Sequence, residues 1–396
     1  MSHQFFGSVK LKKFIFLVAY SLIVAAPAFP APTLELPEVV RSPIPAPEFP
    51  AKAWLVLDYN SNFVLTARNP DERVEPASLN KLMVAYLVFE ALKKGALKLD
   101  GMVTVSERAW RAEGSRMFIN VHSQVKVEDL LRGMIIQSGN DATIALAEQV
   151  AGTEEAFAQL MTQTAKRLGM QNSNFTNSPG LPHPDNYSTA RDLAILSAAI
   201  IREYPEYYKY YSEREFLWNK IKQENRNLLL YRDPTVDGIK TGHTQSAGYS
   251  LIGSANRDGR RLIAVVIGST SMKQRAQDVA ALLQFGYSAY QSVKALDPGA
   301  PLGEVAVSVG AEDKVPVGVA QPVAVIVPRG LERELKSALS PAPEIVAPVA
   351  QGQRVGTVAV QLKQTTLAEV PLVALQPVAQ AGWVKRAMAW MTSFWK

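Results

Sequence analysis

DGIKTGHTQSAGYSL, residues 237–251, sets a lysine, a threonine and two glycines directly ahead of an apolar run that reads as a strand. A strand destined only for a core has no use for Lys240, so the triplet Lys240-Thr241-Gly242 asks what it faces. Working outward, the runs Tyr249 to Ala255 and Leu262 to Ile267 read as two strands joined through Asp258-Gly259, a good hairpin turn. The spacing then predicts a helix from Lys273 to Ser292. Upstream, AWLVLDYNSNFVLTA (residues 53–67) reads as a hairpin around a turn-rich centre. PASLNKLMVAYLVFEALKKG (residues 76–95) carries apolar Leu82, Met83, Tyr86, Phe89 and Leu92 at helical spacing, with Gly95 as a stop. Further helices are expected over residues 126–169 and 188–203, the latter opening on Ser188 and Thr189 as candidate N-caps. Strands, then helices, then antiparallel strands and a closing helix define an α+β domain over residues 53–295 rather than a repeating βαβ pattern.

The flanks differ in character. Lys10, Lys12 and Lys13 precede an apolar run from Phe14 to Ala26, closed by Pro27 and followed by small residues. That run is short of the ~20 residues a bilayer-spanning helix needs, so residues 1–28 read as an export signal and less well as a membrane anchor. Its removal takes three lysines and no acids, lowering the net charge from +6 to +3, too little to point to nucleic acid. Residues 29–52 hold seven prolines and read as an extended leader. From residue 298 to 376, valine runs broken by proline and glycine describe a small β-rich domain, with LERELKSAL (residues 331–339) as one helix-like piece. In residues 381–396 a helical wheel gathers Trp383, Trp390, Phe394 and Trp395 on one arc, with Lys385, Arg386 and Lys396 opposite. Such a helix lies in a membrane interface or docks on its own domain.

The chain has no cysteine, which leaves serine or threonine as the plausible nucleophile. His3, His122, His183 and His243 show no metal-ligand pairing, and no cofactor motif is present. The spacing Ser-x-x-Lys puts hydroxyl and amine on one helix face; it occurs at Ser78–Lys81, Ser123–Lys126 and Ser393–Lys396. Only Ser78 opens a long apolar helix that could hold its lysine away from water. An unperturbed lysine is neutral about once in ~2,500 molecules at pH 7, a cost of roughly 4.6 kcal/mol, so a lysine base must be tuned by burial or by a nearby cation, for which Lys240 is the candidate. Ser138 and Asn140 interrupt the helical run GMIIQSGNDATIALAEQV (residues 133–150), offering a hydroxyl and an amide at a turn, or simply a capped helix break.

The order SxxK, SxN and KTG, at residues 78, 138 and 240, together with PASLNK, IIQSGNDA, YSTARDLA and VDGIKTGHTQSAGYSL, resembles the low-molecular-mass penicillin-binding proteins, exported serine-type D-alanyl-D-alanine carboxypeptidases. The resemblance implies a β-lactamase/transpeptidase-like fold and cleavage of the terminal D-alanine of a peptidoglycan stem peptide through an acyl-enzyme that penicillin traps. It makes Ser78 the nucleophile, Lys81 its proton acceptor, Ser138 a proton relay and Asn140 a holder of substrate backbone. Lys240 and Thr241 would hold the relay serine and the substrate carboxylate. Gly242 would clear the path of the peptide, and the N–H groups of Ser78 and His243 would form the oxyanion hole. Arg226 resembles a further carboxylate-binding arginine, one residue out of the expected spacing, or is a surface arginine. Asn80 stands where the family usually has threonine. The Glu-x-x-Leu-Asn element of class A β-lactamases is missing, so efficient β-lactam hydrolysis is not expected. The implied partners are stem peptides, β-lactams and the outer face of the cytoplasmic membrane; cross-link endopeptidase activity and a silent envelope scaffold are the alternatives.

Overall fold

The computed structural model describes residues 42–385. The expected signal segment and most of the expected terminal helix lie outside them. β1 (Ala53–Asp58) and β2 (Phe63–Arg68) form the first hairpin, and a 3-10 turn (Ala77–Asn80) leads into α1 (Lys81–Lys93). The short strands β3 (Met102–Thr104) and β4 (Gln124–Lys126) pair across the one-turn α2 (Glu107–Trp110). The stretch 126–169 divides into α3 (Val127–Ile135), α4 (Asn140–Ala151) and α5 (Glu154–Arg167). α6 (Ala190–Glu203) is capped by Thr189, whose side chain accepts from the Asp192 N–H; Ser188 instead pairs with Val74. α7 (Pro205–Tyr208) and the hairpin β5 (Glu215–Trp218) and β6 (Ile221–Glu224) follow. β7 (Val236–Thr244), β8 (Gly248–Arg257), β9 (Arg260–Ser269) and α8 (Met272–Ala289) complete the domain.

The five long strands make one antiparallel sheet in the order β2-β1-β9-β8-β7. Its hairpin β8–β9 turns at Asp258 and Gly259, both with positive φ, as a two-residue turn requires. Every residue of β1 is buried, because the sheet is covered on both faces. Leu55 and Leu57 join the core that includes α1, α3, α4 and α6, whereas Trp54 and Val56 join the core that includes α8. Period-2 alternation thus serves two cores at once. α1 is buried almost all round, which suits a central helix.

Four expectations need correction. The triplet Lys240-Thr241-Gly242 does precede a strand, β8, but it is not an irregular lead-in to it: it lies in β7, a strand of its own at the sheet edge, made tolerable by what its side chains meet below. α8 stops at Ala289, and Tyr290–Leu296 is a strand, β10, because its alternating burial pairs it with a partner further along the chain. The residues before Ala53 do not stand clear of the domain, since the Phe49 ring lies 4.5 Å from that of Trp54 and Glu48 pairs with Arg68. Finally, LERELKSAL forms only a 3-10 turn before it becomes a strand, its charged residues lying along an exposed edge.

Beyond α8, β10 pairs with β13 (Val323–Pro328), after β11 (Gly303–Ala306) and β12 (Lys314–Gly318). β14 (Leu335–Pro341), β15 (Arg354–Leu362) and β16 (Thr365–Ala374) complete a second antiparallel sheet, ordered β11-β12-β16-β15-β14. Val358, Val360 and Leu362 of β15 turn inward, as valine alternation predicts, and a register shift between Arg354 and Gly356 brings Val355 inward as well.

Because Leu57 is fully buried between the sheet and the α1 side, Leu57→Ala is expected to cost about 2–5 kcal/mol, read as a lower urea midpoint with an unchanged slope.

Candidate active site

Ser78 sits in the 3-10 turn rather than in the α-helix proper. In 3-10 geometry side chains three apart eclipse one another, which brings Lys81 Nζ to 3.0 Å from Ser78 Oγ. Lys81 is 1% exposed, and its Nζ makes two further contacts, 2.8 Å to Asn140 Oδ1 and 2.8 Å to the Pro179 carbonyl. Both of these partners are acceptors. A neutral amine has two N–H bonds and one lone pair; with both N–H bonds given to Asn140 and Pro179, the lone pair is directed at the serine hydroxyl. The Lys81 amine is held down at about 7, first by burial and then by the Arg226 guanidinium, against an opposing pull from Asp141.

Ser138 occupies the break between α3 and α4 with φ +65, and its Oγ accepts from Lys240 Nζ at 2.9 Å. Asn140 opens α4; its Nδ2 donates to the Glu113 carbonyl at 2.6 Å while its oxygen serves Lys81. The amide expected to face substrate is therefore first a clamp on the lysine, with one N–H of the Nδ2 group left over. Lys240, buried in β7, also donates to the Thr241 carbonyl at 3.1 Å. The cation expected to tune Lys81 was Lys240. Arg226 adds to that repulsion, and Lys240 and Lys81 repel each other: Lys240 is itself pushed well below its ordinary value by burial, then by Lys81, Arg226 and Arg275.

Ser78, Ser138, Asn140, Thr241, His243 and Arg226 all line one cavity of about 380 Å³, and Lys81 and Lys240 stand behind its two serines. Gly242 also lines it, yet the reason for a glycine lies on its other side: an added Cβ would meet the Pro76 carbonyl at 3.1 Å and Leu79 at 3.2 Å. The His243 ring stacks on Tyr249 with centroids 3.9 Å apart, and its Nδ1 lies 3.0 Å from the Gly248 carbonyl. Arg226 is exposed at the rim and donates to Ser115 Oγ at 2.7 Å. A larger depression of about 680 Å³, bounded by residues 42–48 and β2, contains none of these groups.

Two residues escaped the sequence reading. Arg275, 4% exposed in the first turn of α8, donates to the carbonyls of Gly242 (3.1 Å) and Ser250 (3.3 Å) and lines the cavity; burial and Arg226 lower it to about 10. Its signal was a helix start with Lys273 and Arg275 and no acid, against the preference of the macrodipole. Asp141, fully buried, accepts from the N–H groups of Met117, Phe118 and Ile119 and so fixes the loop beside Asn140.

A buried lysine aimed at a serine, a second serine held by a second lysine, and an antiparallel sheet whose edge strand walls the cleft define a serine hydrolase of the penicillin-binding class. The sequence profile described as D-alanyl-D-alanine carboxypeptidase matches residues 40–271, and that of the Penicillin-binding protein 5 C-terminal domain matches residues 290–380. The chain belongs to the D-alanyl-D-alanine carboxypeptidase family and is a serine-type carboxypeptidase. It is 41% identical to D-alanyl-D-alanine carboxypeptidase DacA of Haemophilus influenzae over 351 residues, covering 87% of this chain and 89% of that one. It is likewise 41% identical over 351 residues to DacC of Escherichia coli, covering 87% and 88%. The crystal structure of penicillin binding protein 5 from Haemophilus influenzae superimposes with a TM-score of 0.76 at 41% identity, covering 85% of this chain and all of that one.

Acylation that needs neutral Lys81 should rise with pH through about 7 and then level off. Arg226→Gln removes a positive neighbour, stabilises the ammonium form and moves that limb to higher pH; the rate of covalent labelling by a fluorescent penicillin, measured from pH 5 to 9, checks both statements.

Proposed function

We propose that this cleft removes the terminal D-alanine from peptidoglycan pentapeptide stems, and that it does so with the residues brought together around Ser78. The observation that carries the reading is the three-way coordination of Lys81 Nζ, which leaves a lone pair for the Ser78 proton. Ser78 Oγ attacks the carbonyl between the two D-alanines as its proton passes to Lys81 Nζ. The tetrahedral oxyanion is held by the backbone N–H groups of Ser78 and His243. The C–N bond breaks as the leaving amine takes a proton through Ser138, whose oxygen is fixed by Lys240. This leaves an ester on Ser78 that water then hydrolyses. A β-lactam enters the same first step and stays on Ser78.

The substrate carboxylate goes to the positive end of the cavity, where Thr241 and Arg226 are joined by Arg275. The peptide backbone lies along β7, the edge strand of the sheet, beside the remaining N–H of Asn140. The chain works at the outer face of the cytoplasmic membrane after loss of residues 1–28, tethered peripherally through residues 381–396. Among the described residues no helix is long and apolar enough to cross a membrane. In this reading residues 53–295 do the chemistry and residues 298–376 are a spacer between site and membrane.

Ser78→Ala should abolish both penicillin labelling and release of D-alanine from a pentapeptide; label that persists removes Ser78 from the mechanism. Arg275→Gln should lower kcat/KM for the pentapeptide by about 10- to 100-fold, the value of a hydrogen bond to a charged group. Deletion of residues 381–396 should move the protein from the membrane pellet to the soluble fraction, and a truncated form that still sediments overturns the tether.

A further inference from the structure

The Lys81 lone pair points at Ser78 only if the Pro179 carbonyl stays where it is, and that carbonyl belongs to a loop, not to a helix or strand. Three features hold the loop. The Asn177 side-chain oxygen accepts from the N–H groups of Gly180 and Leu181, both at 2.8 Å, closing it into a tight turn. Ser178 donates through both its N–H and its hydroxyl to Glu154, a nearly buried carboxylate at the start of α5. Gly180, at φ +84, lets the loop press on the nucleophile's turn: a Cβ there would lie 1.8 Å from the Ala77 carbonyl oxygen. None of the three ties the loop to the helix that carries the lysine.

Asn80 does. It is fully buried in the residue next to Lys81, and its Nδ2 donates to the Asn177 carbonyl at 2.9 Å and to Asn186 Oδ1 at 3.0 Å. The orientation of the amide is fixed, because the Asn177 carbonyl can only accept. Its own Oδ1 has no partner among the described residues, so the side chain is held there through its nitrogen alone. Both N–H bonds of that nitrogen are thereby spent. Threonine, the residue the family usually carries here, has a hydroxyl with one hydrogen to give and a shorter reach.

We infer that Asn80 is a positioning residue for the acylation step, locking the 177–181 loop to the nucleophile's turn so that the Pro179 carbonyl takes one N–H of Lys81 and leaves the lone pair on Ser78. The inference rests on Lys81 as the proton acceptor. The groups around that amine are Lys240 from β7, Arg226 from the rim, and Asp141 from α4, with the Glu154–Arg108 pair behind the loop. None of them reaches the Pro179 carbonyl, so Asn80 acts through geometry and through the exclusion of water that the loop provides.

The test uses the full chain with Asn80→Ala and Asn80→Thr, each compared with the parent by three measurements: the second-order rate of fluorescent-penicillin labelling from pH 5 to 9, hydrogen exchange across residues 176–182, and the thermal midpoint. Asn80→Ala should lose about 10- to 100-fold in labelling rate, as a misplaced catalytic group does. Its pH limb should move upward as water reaches Lys81, and the Gly180 and Leu181 amides should exchange faster. Asn80→Thr, the milder change if the alanine variant folds poorly, should show the same effects in smaller measure. A labelling rate within twofold of the parent and an unmoved pH limb in folded Asn80→Thr and Asn80→Ala overturn the inference, as does unchanged exchange at 176–182. Ser78→Ala run beside them separates the two levels: if it still labels, the proposed function fails, whereas if it is silent and the Asn80 variants behave as the parent does, only the inference falls.

Discussion

An amine with two N–H bonds and one lone pair can be aimed, and the aiming of Lys81 sets the terms for its surroundings. Two acceptors must be fixed within hydrogen-bonding distance, at Asn140 Oδ1 and the Pro179 carbonyl, and the hydroxyl must occupy the third direction at Ser78. The amine must also give up its proton near neutral pH, and burial, with help from Arg226, brings it down to about 7. Burying one lysine is costly and burying two close together more so. That cost is offset by the hydrogen bonds the two amines themselves make: Lys81 is met by Ser78, Asn140 and the Pro179 carbonyl, and Lys240 by Ser138 and the Thr241 carbonyl, while Asp141 sits between backbone donors rather than in the cavity.

The fold meets these demands from four separate parts of the chain. The 3-10 turn and the first residue of α1 supply Ser78 and Lys81, the α3–α4 break supplies Ser138 and Asn140, the loop at 177–181 supplies a carbonyl, and β7 supplies Lys240. Rigidity comes from the covered sheet. β7 pairs with β8 along nearly its whole length, and Glu75 ties the β7–β8 turn back to the nucleophile's segment, accepting from Thr244 and Ser246. Gly242 allows that strand to close on the turn before Ser78. Apolar packing on both sheet faces therefore becomes positional accuracy in a cleft built from polar groups.

Much of this was legible in the sequence because it is periodic or punctuated. The β1–β2 hairpin, α1, and the Asp258-Gly259 turn follow from apolar spacing and turn chemistry, and the SxxK, SxN and KTG motifs singled out Ser78, Ser138 and Lys240. What escaped has physical causes. Residues 236–244 were not seen as a strand because Lys240 and Thr241 break the apolar pattern of an edge that faces a site. LERELKSAL has helical propensity, overridden by pairing of β14 with β15. Asp141 is a carboxylate whose partners are backbone N–H groups, and Asn177 acts through its backbone carbonyl and through a side-chain oxygen that accepts from backbone N–H groups. Backbone donors and acceptors leave no mark in a sequence, so the parts of the site built from them become visible only when the chain is folded.

In the proposed mechanism, the second half of the reaction is constrained by what lines the cavity. An ester on Ser78 needs a water molecule deprotonated beside it, and among the described residues lining the cavity none is an aspartate or glutamate. Asp141 is turned away and committed to the Met117–Ile119 backbone. Once the leaving amine has departed with its proton, Lys81 is neutral again, next to the ester oxygen, and the same two acceptors hold its lone pair toward the reacting centre. On that proposal, one tuned lysine serves both acylation and hydrolysis. An acyl group that covers this lone pair, or displaces the water in front of it, would stop the cycle halfway, which is the physical condition for a β-lactam to persist on Ser78 where a stem peptide is released.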